Sequence, residues 1–532
     1  METAYNVILR KGVNYQEFWD YMETVTNMDG IPNREVSVAN RREGSQRQTH
    51  YYLTEEEKAE VLTHPYVLDV ELHPEDDPDS VFKICAEQSG SFGKSSNVGA
   101  ATIPDNYGLL RCSMIENRYH ASLSPPSESY YYVSDGTGVD VVIMDSGVDA
   151  THPDFIDFAG STRVDDRGWT ELSGTATTNG DNNYTDFDGH GTHVAGTVAG
   201  KIYGHAKGAR IFSAKLSGLQ QDLDTSGMST FVIFDRIKEW HQSKPKNELG
   251  FAKRPTVVNM SWATVGTIAS GGTRNVFYRG ALTSSVTLQQ ARDAGVNNYS
   301  PGEFNIQRQS TSIATDVEEM TDAGIHVVIA AGNDNLKMTN DTSDHDYNNY
   351  INRDGGSTLY YNRRNTPWGE DAIIVGATEN SVTGSGTTAK EKKATFSNKG
   401  DVVNIYAPGR FIMSTLSSGS IQYKGRSGAL YYDAPNHYYG SLSGTSMASP
   451  QVAGVLACLL QVNPNLTPAK AKEILINDAT NMLHDPLPGG GPYNSYNLEG
   501  SQAKFLYNRY AGRNISFDTE GGINFFSASL DI

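Results

Sequence analysis

The chain has 532 residues, of which 38% are hydrophobic and 20% charged, a globular balance with enough apolar residues for a large core. Its formal net charge of -19 argues against electrostatic binding to nucleic acid, because phosphates would repel such a surface. The sequence has no uninterrupted apolar run that approaches the length needed to span a bilayer, so we expect neither nucleic acid nor a membrane as a partner.

The amino-terminal sequence lacks the features of a secretory signal. Residues 1–6 contain neither a basic nor an apolar region. We therefore expect a protein that acts inside the cell that makes it, or one delivered as part of a particle such as a virion. The cysteines at 85, 112 and 458 are too few for a disulfide framework. Free thiols, which fit a reducing compartment, are the favoured interpretation, and a Cys85–Cys112 bridge is the alternative.

Residues 1–77 are predicted to form a small α+β domain. Extended and helical segments alternate in the order 5–10, 14–23, 49–53, 54–62 and 67–72. A capping box, Thr54 to Glu57, opens the second helix. This order is typical of helices packed on an antiparallel sheet. Residues 78–102 are acidic and then rich in Ser and Gly, which indicates a linker.

A parallel sheet with helices on both faces is predicted for residues 103–482. Nearly continuous apolar strands are expected at 139–144, 211–216, 256–260, 326–330, 372–375 and 402–406. Helical segments such as 230–240 and 311–321 lie between them. Strands that are apolar on both faces and alternate with helices indicate an α/β fold. In such sheets, active groups gather beyond the carboxyl ends of the strands.

Inserts rich in Asn, Tyr and Gly interrupt this pattern. They cover about 264–308, 335–369 and 417–440, and their length predicts surface elaborations. Residues 483–532 follow as a carboxyl-terminal tail, whose sequence indicates no chemistry.

Ser446 is the candidate nucleophile. It stands at the start of a predicted apolar helix, where unpaired N–H groups and the helix dipole stabilise a developing anion. Taken alone, the same serine can equally be interpreted as a helix cap.

Three further residues follow or precede predicted elements in positions that suit a serine nucleophile. Asp145 ends the first strand and can orient an imidazole, although an Asp there is also a common turn residue. His190 precedes a helix of small residues and is the natural general base, because neutral imidazole accepts a proton near pH 7. Asn333 follows a buried strand, so its amide either stabilises an oxyanion or occupies a turn. A metal site on His190 and His193 is disfavoured, since their spacing lacks the usual four and no adjacent Glu completes the pair.

These segments together resemble those of the subtilisin-like serine proteases. The three signatures of that family are matched by Asp145-Ser146-Gly147, His190-Gly191-Thr192-His193 and Gly444-Thr445-Ser446-Met447-Ala448-Ser449-Pro450, and its oxyanion segment by Ala331-Gly332-Asn333. The order Asp, His, Ser is also that of subtilisin. The resemblance covers about residues 103–482, and the short connection near 200–208 is closer to the proteinase K branch.

The resemblance implies a serine endopeptidase with a subtilisin-like fold that works through an acyl-enzyme. Ser446 would attack the carbonyl carbon of a protein or peptide substrate, and His190 would carry the proton. Asp145 would hold the imidazole in the correct tautomer. Asn333 and the backbone N–H of Ser446 would bind the oxyanion.

The resemblance also implies where substrate would lie. An extended peptide would pair with the edge formed by Ser261, Trp262 and Ala263, close to Ala331 and Gly332. In the family this edge usually continues with Gly, so the bulky Trp262 and Ala263 leave the S1 preference open.

Residues 1–77 resemble the family's propeptide, which is an intramolecular chaperone and inhibitor whose tail enters the cleft. The chain would then be a zymogen whose self-cleavage point lies in residues 78–102. No cofactor is required by this chemistry. Calcium is common in the family, and Asp154 falls where one ligand would lie, but Asn404 replaces an Asp often found at another site. A structural calcium is compatible with the sequence but is not predicted, and the acidic loop 181–186 is interpreted as solvated.

Two other functions are weighed against this one. The long inserts and the tail motivate a latent or inactive component of a larger particle that keeps the fold. Lipase or esterase chemistry is disfavoured, because the sequence around Ser446 reads Gly-Thr-Ser-Met-Ala rather than Gly-x-Ser-x-Gly.

Overall fold

The structure is a computed structural model of the whole chain. It describes residues 2–511 and the strands at 516–517 and 523–524, apart from residues 24–33, 35, 43, 73–79, 85–106, 116–129, 131, 158, 166, 175–183, 217–227, 270–273, 297–302, 354–357, 365–366, 385–388, 419–429, 435–436 and 487–495.

The amino-terminal domain is a four-stranded antiparallel sheet with two helices on one face. Its elements are β1 (Thr3–Leu9), α1 (Tyr15–Glu23), β2 (Val38–Arg41), β3 (Gln48–Leu53), α2 (Glu55–Val61) and β4 (Val67–Glu71), and the strand order is β2-β3-β1-β4. The predicted capping box is present, because Thr54 and Glu57 each accept a hydrogen bond from the other's backbone N–H. Phe18, Met22 and Val61 pack the helices against the sheet.

One further strand, β5 (Ser80–Ile84), pairs outside this domain. It lies antiparallel to residues 262–266 of the main domain. The composition of residues 78–102 predicts a linker, yet part of that range is a strand. Main-chain hydrogen bonds to a neighbouring edge hold such a strand without requiring an apolar pattern in its sequence.

The first half of the main domain contains both helices and strands. They are α3 (Tyr107–Cys112), β6 (Asp140–Asp145), α4 (Trp169–Ser173), α5 (His190–Ala199), β7 (Arg210–Lys215), α6 (Thr230–Ser243), β8 (Thr256–Met260), β9 (Trp262–Ala269), β10 (Arg274–Tyr278), β11 (Ala281–Thr283), α7 (Leu288–Asp293), β12 (Glu303–Gln307), α8 (Thr311–Asp322) and β13 (His326–Ala330). The remaining elements are β14 (Tyr350–Arg353), β15 (Thr358–Tyr360), β16 (Ile373–Thr383), β17 (Lys390–Lys393), β18 (Ile405–Pro408), β19 (Ile412–Leu416), β20 (Leu430–Ala434), β21 (His437–Leu442), α9 (Thr445–Val462), α10 (Pro468–Asp478), β22 (Leu483–His484), β23 (Ser516–Phe517) and β24 (Ile523–Asn524).

The central sheet has the order β22-β17-β16-β13-β8-β6-β7, and β18 also pairs with β16. Its inner strands, from β16 to β7, are parallel to one another. Each apolar strand predicted from the sequence is found in this sheet, and the last begins at Ile405 rather than at 402. The predicted α/β fold is therefore confirmed.

Two apolar cores lie on the two faces of the central sheet. Helices α5 and α9 cover one face, where Val194 and Val452 pack with strand residues such as Val141. Helices α6 and α8 cover the other face through Ile233 and Ile313. Helix α9 is long and apolar enough to cross a membrane, but 89% of it is buried inside the fold. It is a core helix that holds its first turn rigidly against the sheet.

The first two inserts build one accessory lobe. Strands β10, β11, β14 and β15 form a separate antiparallel sheet in the order β11-β10-β14-β15. Strands β9 and β12 pair beside it, and the lobe has its own apolar core, which includes Ile268, Phe304, Ile351, Leu359 and Tyr361. In the third insert β20 and β21 pair, and β21 joins them to β19.

Part of the predicted tail belongs to the main fold. Phe505 and Leu506 are fully buried, and the Leu506 N–H donates a hydrogen bond to the Tyr406 carbonyl at 2.8 Å. The Asn508 N–H donates to the Cys112 carbonyl at 2.6 Å. Residues 503–511 therefore complete the packing of the central sheet.

Two of the three cysteines are described. Cys112 and Cys458 are buried free thiols. Burial raises the pKa of both thiols, to about 12 for Cys458. Cys85 lies outside the described residues.

Candidate active site

The carboxyl ends of three neighbouring strands carry the predicted site residues. Asp145 ends β6, Ser261 follows β8, and residues 331–333 follow β13. These strands are parallel neighbours in the sheet, with Met144 opposite Met260. Because the carboxyl ends of parallel strands meet at one edge, the sheet brings these residues together. Helices α5 and α9, which carry His190 and Ser446, pack against each other over the same edge.

Asp145 and His190 form a buried pair. Asp145 Oδ1 lies 2.7 Å from His190 Nδ1, and both side chains are fully buried. Burial disfavours the imidazolium, but the Asp145 carboxylate outweighs this effect and raises the pKa of His190 above its ordinary value. The contact fixes the proton on Nδ1 of the neutral ring. His190 Nε2 has no hydrogen-bond partner among the described residues, so the acceptor nitrogen is left for another group.

The loop before His190 is organised by Asp186, which our sequence reasoning did not identify as a site residue. Its buried carboxylate accepts hydrogen bonds of 2.6–2.9 Å from the Ser146 hydroxyl, the Gly189 N–H and both the N–H and the hydroxyl of Thr192. Asp186 thus ties the start of α5 to the end of β6. Acidic residues before helices are common, so the sequence alone carries little signal for this role.

Close backbone packing also positions His190. A Cβ atom at Gly191 would lie 2.1 Å from the Gly147 carbonyl oxygen. The Gly191 N–H donates to the Ser146 hydroxyl at 2.9 Å. Only glycine allows α5 to begin this close to the turn after β6.

Ser446 stands in the first turn of α9, beside Ser261. Its hydroxyl donates to the Ser261 carbonyl at 3.0 Å. The Ser261 hydroxyl contacts the Ser446 carbonyl at 3.2 Å and the Ser449 hydroxyl at 2.9 Å, and it accepts from Asn259 Nδ2 at 2.9 Å. This network fixes the candidate nucleophile against the start of β9.

Asn333 lies next to the same helix turn. Its Oδ1 accepts hydrogen bonds from the N–H and the hydroxyl of Thr445, both at 2.9 Å. These two donors orient the amide and leave Nδ2, the donor end, pointing away from Thr445. The Thr445 hydroxyl also accepts from the Gly332 N–H at 3.0 Å. Gly332 has φ +100°, and a Cβ there would lie 1.8 Å from Gln307 Nε2, so this position requires glycine.

His193 has a structural role that separates it from His190. Its Nε2 donates to the carbonyls of Ile412 and Gly440, at 3.0 and 3.1 Å. Burial lowers the pKa of His193 to about 3, so the ring is neutral. It ties α5 to β19 and β21, and its Nε2 is not a metal ligand.

The predicted substrate edge is the beginning of β9. Trp262 is fully buried in the core under α6 and α8, and Ala263 contacts Ala330. Ala331 is likewise buried in the core. Opposite this edge lies β5, with Ile84 paired to Trp262 and Lys83 to Ala263. The edge where substrate is expected therefore holds a segment of the chain itself.

The residues around Asp154 do not fit a calcium site. Asp154 Oδ1 accepts from the Ile202 N–H at 3.0 Å, and burial raises the pKa of the carboxyl to about 6. The positive charges of Lys207 and Arg163 act on this carboxyl and disfavour a cation there, whereas calcium takes six to eight oxygen ligands. Asn404 Oδ1 is engaged by the Ile374 N–H at 2.8 Å. Residues 181–183 of the acidic loop lie outside the described residues. At Asp186 the interpretation of a solvated loop is wrong, because its carboxylate is buried and accepts four hydrogen bonds.

A profile of the subtilase family matches residues 136–501, well over half of the chain. The chain belongs to the subtilase family. This subtilase is 29% identical over 409 residues to the subtilisin-like serine protease pepC of Aspergillus niger, which covers 74% of this chain and 56% of the relative. It is 30% identical over 400 residues to the subtilisin-like serine protease Pen c 2 of Penicillium citrinum, covering 73% of this chain and 63% of the relative. The chain thus spans less than two thirds of the length of these curated relatives.

Among solved structures, the subtilase is similar to fervidolysin from Fervidobacterium pennivorans, a keratinolytic enzyme related to subtilisin. The TM-score is 0.52 at 18% sequence identity, and the match covers 96% of this chain and 60% of that one. This likeness supports the fold.

Proposed function

We propose that this subtilase is a serine endopeptidase made as a self-inhibited precursor. The observation that carries the proposal is the buried Asp145–His190 pair at the sheet edge where α9 begins with Thr445 and Ser446. A fixed carboxylate and an imidazole with its second nitrogen unengaged are what a serine nucleophile requires. Asp145, His190 and Ser446 are the proposed catalytic residues, with Asn333 as oxyanion donor.

The reaction begins when the Ser446 hydroxyl turns from the Ser261 carbonyl to His190 Nε2. Such hydrogen bonds often tighten only when substrate is bound. Ser446 Oγ then attacks the carbonyl carbon of the scissile bond while its proton moves to Nε2, and Asp145 stabilises the imidazolium that forms. Asn333 Nδ2 and the Ser446 N–H hold the oxyanion.

The intermediate collapses when His190 donates its proton to the leaving amine. The acyl group stays on Ser446 Oγ until water, activated by the same imidazole, hydrolyses the ester. The Ser446 and His190 side chains carry the proton transfers of this reaction, so we propose that no cofactor is required. The match to the subtilase family and to serine proteases supports protein or peptide substrates.

The amino-terminal domain is the proposed inhibitor. Its face opposite α1 and α2 rests on α6 and α8, where Arg42 donates to Asp235 at 2.9 Å and to Asp316 at 2.7 Å. Glu71, at the end of β4, accepts from the Ser310 hydroxyl and the Ser312 N–H at the start of α8, both at 2.8 Å. These contacts hold β4 so that the following strand, β5, reaches the substrate edge.

A fluorophosphonate probe tests the nucleophile. We expect the processed protein to be labelled at Ser446, and Ser446→Ala to abolish labelling, self-cleavage and digestion of unfolded protein. Ser441→Ala is a matched control, because this nearby buried hydroxyl has no hydrogen-bond partner among the described residues. Labelling that survives Ser446→Ala would refute the assignment.

The same experiment separates the alternative function. A wild-type chain that stays full-length, resists the probe and digests no unfolded substrate would support a latent or inactive component of a larger particle. Because β5 occupies the substrate edge of the uncleaved chain, the probe is applied both before and after incubation.

A further inference from the structure

Strand β9 is longer than contact with a few substrate residues requires. It runs for eight residues from Trp262 to Ala269. On its inner side β12 pairs with residues 265–269, from Val265 opposite Gln307 to Ala269 opposite Glu303. The far half of β9 is therefore a supported strand rather than a free loop.

The accessory lobe holds the far half of β9 by contacts at both ends of the β9–β12 pair. The Arg308 N–H donates to the Thr264 carbonyl at 2.9 Å, and the Thr264 hydroxyl donates to the Arg308 carbonyl at 3.1 Å. Gln307 Oε1 accepts from Asn398 Nδ2 at 3.0 Å. Ile268 enters the lobe core with Phe304. The inserts thus fix the backbone of β9 beyond the residues adjoining the catalytic serine.

Strand β5 pairs with the other edge of β9. Pairing runs from Ile84 opposite Trp262 to Ser80 opposite Gly266. Ser261 is the residue whose carbonyl contacts Ser446 Oγ, so we count the substrate residue opposite Ser261 as the first before the scissile bond. By this count Val265 and Gly266 face the fifth and sixth residues.

We infer that the accessory lobe extends the substrate-binding edge, so that Val265 and Gly266 pair with the fifth and sixth substrate residues before the scissile bond. The preferred substrates are then unfolded or extended polypeptides with at least six residues on that side. A sheet edge exposes main-chain N–H and C=O groups that an added strand satisfies whatever its side chains. This inference rests on the proposed protease function.

Peptides of different length provide the test. The full-length chain is allowed to process itself, and its active sites are counted with the fluorophosphonate probe. Quenched peptides carry the same sequence around the scissile bond, with four or six residues before it. We expect kcat/KM to rise about 10-fold from four to six, as one or two added main-chain hydrogen bonds allow. Equal kcat/KM for the two peptides would overturn the inference.

N-methylation of the longer peptide supplies an independent readout. In an antiparallel pair the N–H groups of alternate residues point toward the neighbouring strand. N-methylation at one of the fifth and sixth positions should remove most of the gain, while the other position should tolerate it. Equal tolerance at both positions would show that the gain does not come from strand pairing.

A variant of β9 tests the role of the lobe. A Cβ at Gly266 would lie 2.9 Å from the Leu359 methyl groups on β15 and from Arg308 Cδ, so Gly266→Val should displace this part of β9 from the accessory lobe. We expect the ratio of kcat/KM for the six-residue peptide to kcat/KM for the four-residue peptide to fall toward 1. Thr283→Val, on the exposed strand β11 of the same lobe, is the control, and its ratio should not change.

The outcomes distinguish the two proposals. If the fluorophosphonate probe labels no serine of the wild-type protein and neither peptide is cleaved, the proposed protease function fails. If both peptides are cleaved equally well, the function stands and only the extended edge is wrong. If Gly266→Val does not fold, the peptide series on the wild-type chain still decides the inference.

Discussion

His190 shows how burial and charge act against each other on one side chain. Burial penalises the imidazolium, and the carboxylates of Asp145, Asp188 and Asp186 favour it, with a net rise in the pKa of His190. A general base must be neutral, so activity is lost as pH falls through this raised pKa.

The acid limb of the kcat/KM profile should therefore respond to Asp188. This residue lies beside His190, and its Oδ1 accepts a hydrogen bond from the backbone N–H of His190 at 3.1 Å. Burial raises the pKa of Asp188 to about 7, so Asp188→Asn removes the negative charge that the residue carries above that pH and keeps an oxygen acceptor. We expect the pKa of His190 to fall and the acid limb to move to lower pH, measured as kcat/KM against pH. Asp293→Asn, on an exposed helix, should leave the profile unchanged. A shift to higher pH in Asp188→Asn would contradict the assignment of His190 as base.

Asn333 is expected to act on turnover rather than on binding. Asn333→Asp keeps an oxygen for the two Thr445 donors but replaces the Nδ2 donor, and Asn333→Ala removes both functions. Both should lower kcat about 10²–10³-fold with little change in KM, the loss known for such a donor in subtilisin. If Asn333→Asp keeps wild-type kcat, the residue orients Thr445 and does not bind the oxyanion. Thermal denaturation of both variants separates a folding defect from a catalytic one.

Among the elements, α6 and α8 form the platform on which the amino-terminal sheet rests. Arg42 is almost fully buried between them and also donates to Gln48 Oε1 at 2.8 Å and to the Phe231 carbonyl at 3.2 Å. This buried cation joins the two surfaces, because its removal would leave the Asp235 and Asp316 carboxylates with Lys238 as their remaining charged partner, at 3.4 and 3.7 Å.

Arg42→Met should therefore weaken the binding of the amino-terminal domain to the main domain after cleavage. Loss of one partner from a buried charge network costs about 2–5 kcal/mol, which predicts early release of the domain and faster appearance of activity. The measurement is the lag before peptide hydrolysis and the amount of domain that co-elutes in size-exclusion chromatography. Lys11→Met, which removes an exposed ion pair with Asp322, should change neither. An unchanged lag in Arg42→Met would argue against this anchor.

At the scale of the whole molecule, the chain places its own segment on the substrate edge in a fixed register. Ile84, the last residue of β5, pairs with Trp262, which adjoins Ser261, and the Ser261 carbonyl accepts from the Ser446 hydroxyl. Position 85 lies outside the described residues, so the bond is predicted from the register of β5 alone.

We predict that self-cleavage produces a new amino terminus at Ala86. Amino-terminal sequencing with intact-mass measurement checks it, and Ser446→Ala should stay uncut. The rate should not depend on protein concentration, because the segment and the serine belong to one chain. A first cut within Ser80–Ile84 would show that β5 is not held in this register during the reaction.

The sequence by itself determined what depends on local pattern. Apolar runs set the strands of the central sheet, Thr54 and Glu57 set a helix start, and the segments around Asp145, His190 and Ser446 indicated the family. Each of these signals depends only on residues that are close in sequence, because apolar runs, helix caps and signature motifs each occupy a short stretch of chain.

The tertiary structure alone decided what depends on contacts between distant segments. No local sequence pattern predicts the burial of residues 503–511 or the core that two inserts share. The pairing of β5 with β9 has no local pattern either, because nearly any sequence can form main-chain hydrogen bonds. Asp186 acquired its role in the same way, since four donors from separate segments converge on its carboxylate only when β6 and α5 pack together.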